Sequence, residues 1–197
     1  MIKMKIIVNL LMLILFISCS TEQLKLEQYQ KYPVKFVKRN FVYTDKSFEI
    51  YLPFKWKYKI ENYENVAEII LGIDVASEPD EKNFIDILSI QKTTGFSTEK
   101  NLEAEYLKML ENLKRKSNFK LIESGKTKLL KNETYFVHSK SNSGTYGEIE
   151  LITLITKSNY ERNFYYLTAS ASRTKELEKN MAIMIQCLRT FKQKEKK

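Results

Sequence analysis

Few side chains in this sequence are equipped for chemistry. His138 is the only histidine. It lies in Tyr135-Phe136-Val137-His138-Ser139-Lys140, which reads as a strand with Phe136 and His138 on one face and Tyr135 and Val137 on the other. A metal centre or a nucleophilic triad needs an imidazole beside a cysteine, a carboxylate or a second histidine. The flanking residues supply none, so His138 reads as a structural or surface residue. Cys187 falls at the flank of a helical apolar stripe, near the helix C-terminus. A reactive thiolate needs a neighbouring cation or a helix N-terminus, so Cys187 is expected to pack as a small hydrophobe. Glu78-Pro79-Asp80-Glu81 and Asp86 offer oxygen atoms to a hard cation, but lack the glycine and regular carboxylates of a calcium loop. They read as a solvated turn. No phosphate-binding loop, nucleophile elbow or His-Glu-x-x-His zinc motif occurs. The expectation is no catalytic residue, no cofactor and no metal.

Two stretches speak of binding and location instead. Phe54-Lys55-Trp56-Lys57-Tyr58-Lys59 alternates aromatics with lysines. Extended, it would hold the aromatics on one face and the lysines on the other. Lys55, Trp56, Lys57, Tyr58 and Lys59 are therefore candidates for a surface patch that meets an anionic polymer or lipid headgroups. The simpler alternative has Trp56 anchoring the core while the lysines lie in water. The second stretch is the beginning of the chain. Met1 to Lys5 carries two lysines and no acid, and Ile6 to Ile17 is apolar except for Asn9. A basic start, a short apolar run and a small residue form the pattern of a secretory signal peptide. The run is too short to span a bilayer as a helix, which takes roughly 20 apolar residues.

Phe16-Ile17-Ser18-Cys19 resembles the bacterial lipobox, with Phe16 where leucine is usual. The resemblance implies cleavage after Ser18 and lipidation of Cys19. Ser20 after the cysteine is similar to lipoproteins passed to the outer membrane of double-membraned bacteria. The localisation expected is the cell envelope, lipid-anchored, facing the periplasm or the surface. With Cys19 acylated, only Cys187 remains, so no disulfide forms within the chain.

The elements that must position these residues follow from period and punctuation. Residues 19–40 are polar and lysine-rich and read as a tether, with a short helix at Leu24 to Tyr29 stopped by Pro33. Phe41–Tyr43 and Phe48–Leu52 flank Thr44-Asp45-Lys46-Ser47 as a hairpin. Val66–Val75 and Phe84–Gln91 follow as strands. Thr98–Lys116 is predicted to be a helix, with Thr98 as N-cap and Leu102, Tyr106, Met109 and Leu113 as its stripe. Strands are expected at Phe119–Ser124, Lys126–Leu130, Tyr135–His138, Glu148–Thr156 and Phe164–Ala171. A closing helix beginning near Thr174 carries Leu177, Met181, Met184, Leu188 and Phe191, before a charged tail at 193–197. Residues 41–192 form a single domain. Consecutive hairpins with two sizeable helices predict an α+β fold, an antiparallel sheet flanked by helices. The chain carries +9 formal charge, but mostly as lysine. Nucleic-acid readers favour arginine, so no nucleic-acid partner is expected.

Leu52-Pro53 with Trp56, Leu121-Ile122-Glu123-Ser124-Gly125, Phe164 to Ala169 and Leu188-Arg189-Thr190-Phe191-Lys192 occur in an order that resembles the PsbP/Mog1-like (PsbP-like) fold of small bacterial lipoproteins and secreted proteins. Where that fold usually has Pro-x-Gly-Trp, this chain has Pro53-Phe54-Lys55-Trp56. The resemblance implies an α/β/α sandwich and a non-catalytic accessory or protein-binding module with an envelope partner. The alternative is a small-ligand or lipid-binding lipoprotein, which requires a sizeable apolar pocket.

Overall fold

The computed structural model describes residues 23–194 except 62, 64, 143, 145, 146, 160 and 161; the leader and Cys19 lie outside the described residues. The chain opens with α1 (Leu26–Lys31), β1 (Lys38–Val42), β2 (Phe48–Pro53), β3 (Lys57–Glu61), β4 (Ile69–Ala76) and β5 (Ile87–Thr93). It continues through α2 (Leu102–Lys114), β6 (Lys120–Thr127), β7 (Thr134–Asn142), β8 (Glu148–Lys157), β9 (Phe164–Ser172), α3 (Leu177–Leu188) and β10 (Lys192–Gln193). Seven strands form an antiparallel sheet in the order β3-β4-β5-β9-β8-β7-β6, and β1-β2-β10 form a smaller sheet.

Both faces of the large sheet are covered, as the apolar β8 and β9 require. On one face lie α1, α3 and the small sheet, where Met181, Met184, Ile185 and Leu188 of α3 are fully buried. Phe191 just beyond α3 packs at 5.5 Å from the Phe48 ring and 5.1 Å from Tyr165. On the other face α2 lays Leu102, Tyr106 and Met109 over Tyr135, Ile155, Phe164 and Tyr166. This is an α+β fold with helices on either side of an antiparallel sheet.

The structure corrects several boundaries. The stretch read as a tether is, from Gln23 onward, part of the fold: α1 buries Leu26 and Tyr29 in the main core. The charged tail is shorter than expected, because Lys192–Gln193 pair with Phe48–Glu49 and the Lys194 amide donates to the Ser47 carbonyl. Asn101, not Thr98, caps α2, its side chain accepting from the Ala104 amide at 2.8 Å. The two strands expected on either side of Gly125 are one strand, β6, which runs through Gly125 at φ +147°, a value that suits glycine. The turn before Trp56 closes without glycine, through a 3.2 Å bond from the Trp56 amide to the Pro53 carbonyl.

Candidate functional site

His138 is fully buried, and the residues that meet it come from three directions. In the register of β7, His138 stands opposite Glu123 of β6 and Ile152 of β8. A bulge between Leu121 and Glu123 shifts the register of β6. An extra residue of this kind re-aims the side chains that follow it, and Glu123 turns to the His138 face. Glu150 lies two residues from Ile152 on the same face of β8. From above, α1 lowers Tyr29 onto the pair.

The contacts are close. His138 Nε2 is 2.8 Å from Glu150 Oε1, and its Nδ1 is 3.4 Å from Glu123 Oε1. The Tyr29 hydroxyl donates to Glu150 Oε1 at 2.7 Å, and the Gln23 side-chain amide donates to Glu150 Oε2 at 2.7 Å. The Leu26 backbone amide donates to Glu123 Oε1 at 2.6 Å. Lys140 Nζ stands between Glu148 (3.3 Å) and Glu150 (3.9 Å), and Arg173 also donates to Glu148.

The electrostatics follow from that geometry. Burial alone would raise the Glu150 carboxyl, but the bonds from His138, Tyr29 and Gln23 and the His138 charge outweigh it and hold the group below the ordinary glutamate range. Burial, with the Glu150 charge beside it, pushes the Tyr29 phenol far up. Carboxylate, imidazole and phenol are the parts of a proton relay. Here Tyr29 and His138 are fully buried and the Glu150 side chain is 1 % exposed, with Tyr29, Glu150, Gln23 and Lys140 lining a small open pocket of about 170 Å³. Glu123, with a side chain 24 % exposed, is nearer water than Tyr29, His138 or Glu150. What the cluster does is fasten α1 to the sheet.

A second buried carboxylate, Glu105 of α2, accepts from the amides of Phe96 and Ser97 and from the Tyr166 hydroxyl, at 2.9, 2.6 and 2.6 Å. It clamps the loop before α2. Asp86, read as part of a solvated turn, is instead 6 % exposed and accepts from the Ser172 amide and the Asn180 side chain. Among the described residues no group of three His, Cys, Asp or Glu could hold a metal ion. Cys187 is fully buried and burial pushes its thiol up to about 12.

The aromatic-lysine segment does not form the alternating ribbon expected. Phe54 and Lys55 make a turn and β3 begins only at Lys57, so the aromatics do not share a face. Trp56 is 9 % exposed and belongs to the core, which removes it from the surface patch. Tyr58 is half exposed, packing at 4.9 Å against Phe41 with the Arg39 guanidinium 5.0 Å over its ring. Lys55, Lys57 and Lys59 lie in water. Beside α1 runs an open groove of about 1100 Å³, whose lining includes Lys25, Leu26, Glu123, Lys126, Leu130 and Phe136.

The backbone arrangement matches solved structures across nearly their whole length. The solution structure of cyanobacterial PsbP from Synechocystis superposes with a TM-score of 0.55 at 10 % identity, covering 83 % of this chain and 96 % of that one. The PsbP/Mog1-like fold is the fold of this chain. The Ran-binding protein Mog1p of Saccharomyces cerevisiae shares it, with a TM-score of 0.52 at 8 % identity over 80 % of this chain and 96 % of that one. So does LpqN, involved in cell envelope biogenesis of Mycobacterium tuberculosis, with a TM-score of 0.51 at 13 % identity over 86 % and 97 %. No family model matches the sequence, and no curated protein matches it. In this PsbP/Mog1-like domain Glu123, Glu150 and Tyr29 join His138 although no sequence motif singles them out. The signal available was Glu150, the lone charge in the run Ile149 to Ile155, which is otherwise apolar but for Thr153. A carboxylate on a buried strand face needs partners.

Proposed function

We propose that this chain is a non-catalytic accessory module of the bacterial cell envelope, anchored by lipid on Cys19 and acting by binding another envelope protein. The observation that carries the reading is the state of its one imidazole. His138 is sealed in the core with each nitrogen on a glutamate, and the remaining capacity of Glu150 is taken by Tyr29 and Gln23. That arrangement leaves no histidine base beside a nucleophile in any cleft. The likeness in fold to a Ran-binding protein supports a protein partner, and the likeness to a protein of cell envelope biogenesis supports the setting. Among the described residues no helix is long and apolar enough to cross a membrane. The lipobox-like leader supplies the membrane link, and Ser20 favours the outer membrane.

Mass spectrometry of the native product tests the anchor. The expected product begins at an acylated Cys19; an unmodified thiol or an intact leader overturns it. Chemical cross-linking in intact cells tests the partner, with a reproducible adduct to one envelope protein expected. Recovery of the uncross-linked chain alone overturns that part. The second reading, a small-ligand or lipid-binding module, is favoured by the groove beside α1. Its volume exceeds the roughly 300–1,000 Å³ of ordinary ligand sites, but its rim sets Lys25, Lys126, Lys128 and Lys131 against Glu27, Glu123 and Glu133, and it is open to solvent.

A further inference from the structure

Val37 and Phe54 are exposed by 71 % and 61 %, more than any other large apolar side chain described. They are neighbours: the Phe54 amide donates to the Val37 carbonyl at 2.8 Å. The two segments that carry them, residues 31–40 and 53–60, contain no acid. Lys35, Lys38, Lys55 and Lys57 are all exposed around the apolar pair, with Lys38 Nζ 4.8 Å over the Phe36 ring. A bare apolar pair among lysines whose own segments hold no acid is unusual on a soluble surface. It is the chemistry that meets an anionic lipid surface, where the rings and branched carbons enter the headgroup layer and the ammonium groups meet phosphates.

Position agrees with chemistry. The large sheet carries Lys57 through Ala76, Ile87 and Ser170 to Leu151, the residue next to Glu150. Gln23 is held at Glu150, so the segment leading from Cys19 joins the domain at the same end of the sheet as the Phe54 turn. The reach between Cys19 and Gln23 is short, four residues and at most about 14 Å. We infer that Val37 and Phe54, with Lys35, Lys38, Lys55 and Lys57, form a second, reversible attachment to an anionic bilayer that orients the domain. The inference rests on the envelope reading for the presence of a bilayer, not for the patch. Several acyl chains on Cys19 would hold the protein at the bilayer by themselves, so the patch sets the orientation of the domain rather than its retention.

The test uses a chain that starts at Ser20. It keeps every buried residue described, from Leu26 to Phe191, and lacks Cys19. Sedimentation with phosphatidylglycerol–phosphatidylcholine vesicles is compared with phosphatidylcholine alone. Binding at least about tenfold stronger to the anionic vesicles is expected. Phe54→Ser should weaken it about fivefold, and Lys55→Glu with Lys57→Glu at least about tenfold. The pair Lys35→Glu and Lys38→Glu does the same from the other segment, and unchanged Trp56 fluorescence confirms an intact fold. Equal partition to both vesicles, no binding, or variants that bind like the parent overturn the inference. Dextran sulfate binding that Phe54→Ser leaves untouched, with no vesicle binding, identifies a polyanion site and also overturns it. The mass of the native product reads the anchor separately, so either claim can fail while the other stands.

Discussion

A glutamate taken out of water loses several kcal/mol of hydration, and Glu150 remains charged because Tyr29, Gln23 and His138 replace that water with aimed donors. Its folded pKa is depressed, and the sign of the pH dependence follows. The stability it contributes is fully present above the ordinary glutamate value of about 4.3, and is lost as pH falls through the lower folded value. Asp86 runs the other way, since burial raises its carboxyl despite the bonds from Ser172 and Asn180. Its protonated form favours the fold as pH drops. Glu150→Gln should lower the unfolding free energy at pH 7 by about 2–3 kcal/mol, measured by urea denaturation. The same variant should lose less stability than the parent on acidification below pH ~4. An unchanged acid limb would refute the role given to Glu150. Cys187, buried with its thiol pushed up to about 12, should resist iodoacetamide at pH 8 until the chain is unfolded in urea; rapid labelling of the native chain would contradict its burial.

At the scale of elements, the two faces of the sheet are held by separate devices. On the α2 face, Gly95 at φ +90° lets the loop pass beneath Glu105; a Cβ there would stand 2.6 Å from Glu105 Oε1 and 2.8 Å from the Phe164 ring. Gly95→Ala should cost about 1–3 kcal/mol, and amides of α2 should exchange faster while those of α3 do not. Hydrogen exchange resolves the two; a uniform rise across both helices would show one cooperative core instead. The strands and the closing helix were legible in the sequence because their signals are local. Phe48 to Pro53 alternates and stops at proline, and Met181, Met184 and Leu188 recur at helical spacing. The Phe136/His138 alternation also holds, Phe136 facing the α1 side and Tyr135 the α2 side. The site was not legible. His138, Glu123, Glu150 and Tyr29 are brought together by a register, a bulge and a docked helix, none of which leaves a mark in neighbouring residues. The pairing of Lys192 with Glu49 was hidden for the same reason, and the cap of α2 was misplaced at Thr98 because Asn101, three residues on, has the same capping chemistry.

For the whole molecule, the decisive question is where the segment after the proposed lipid site ends and the body begins. A helix of α1's length is not stable by itself in water; it exists because Leu26 and Tyr29 are buried and because its side chains and amides complete the coordination of Glu123 and Glu150. A true tether can be shortened without consequence to the domain. Removing residues 20–32 from the unanchored chain would instead empty the Leu26 and Tyr29 sites and leave Glu150 buried with His138 as its remaining close donor. The expected loss is at least about 4 kcal/mol of unfolding free energy, read from urea denaturation followed at Trp56. Replacing residues 20–22 alone, ahead of the Gln23 contact, should cost nothing measurable. If the longer deletion also left the domain as stable as the parent, α1 would be an ornament on a body complete without it, and the proposed anchor at Cys19 would lose its short link to the fold.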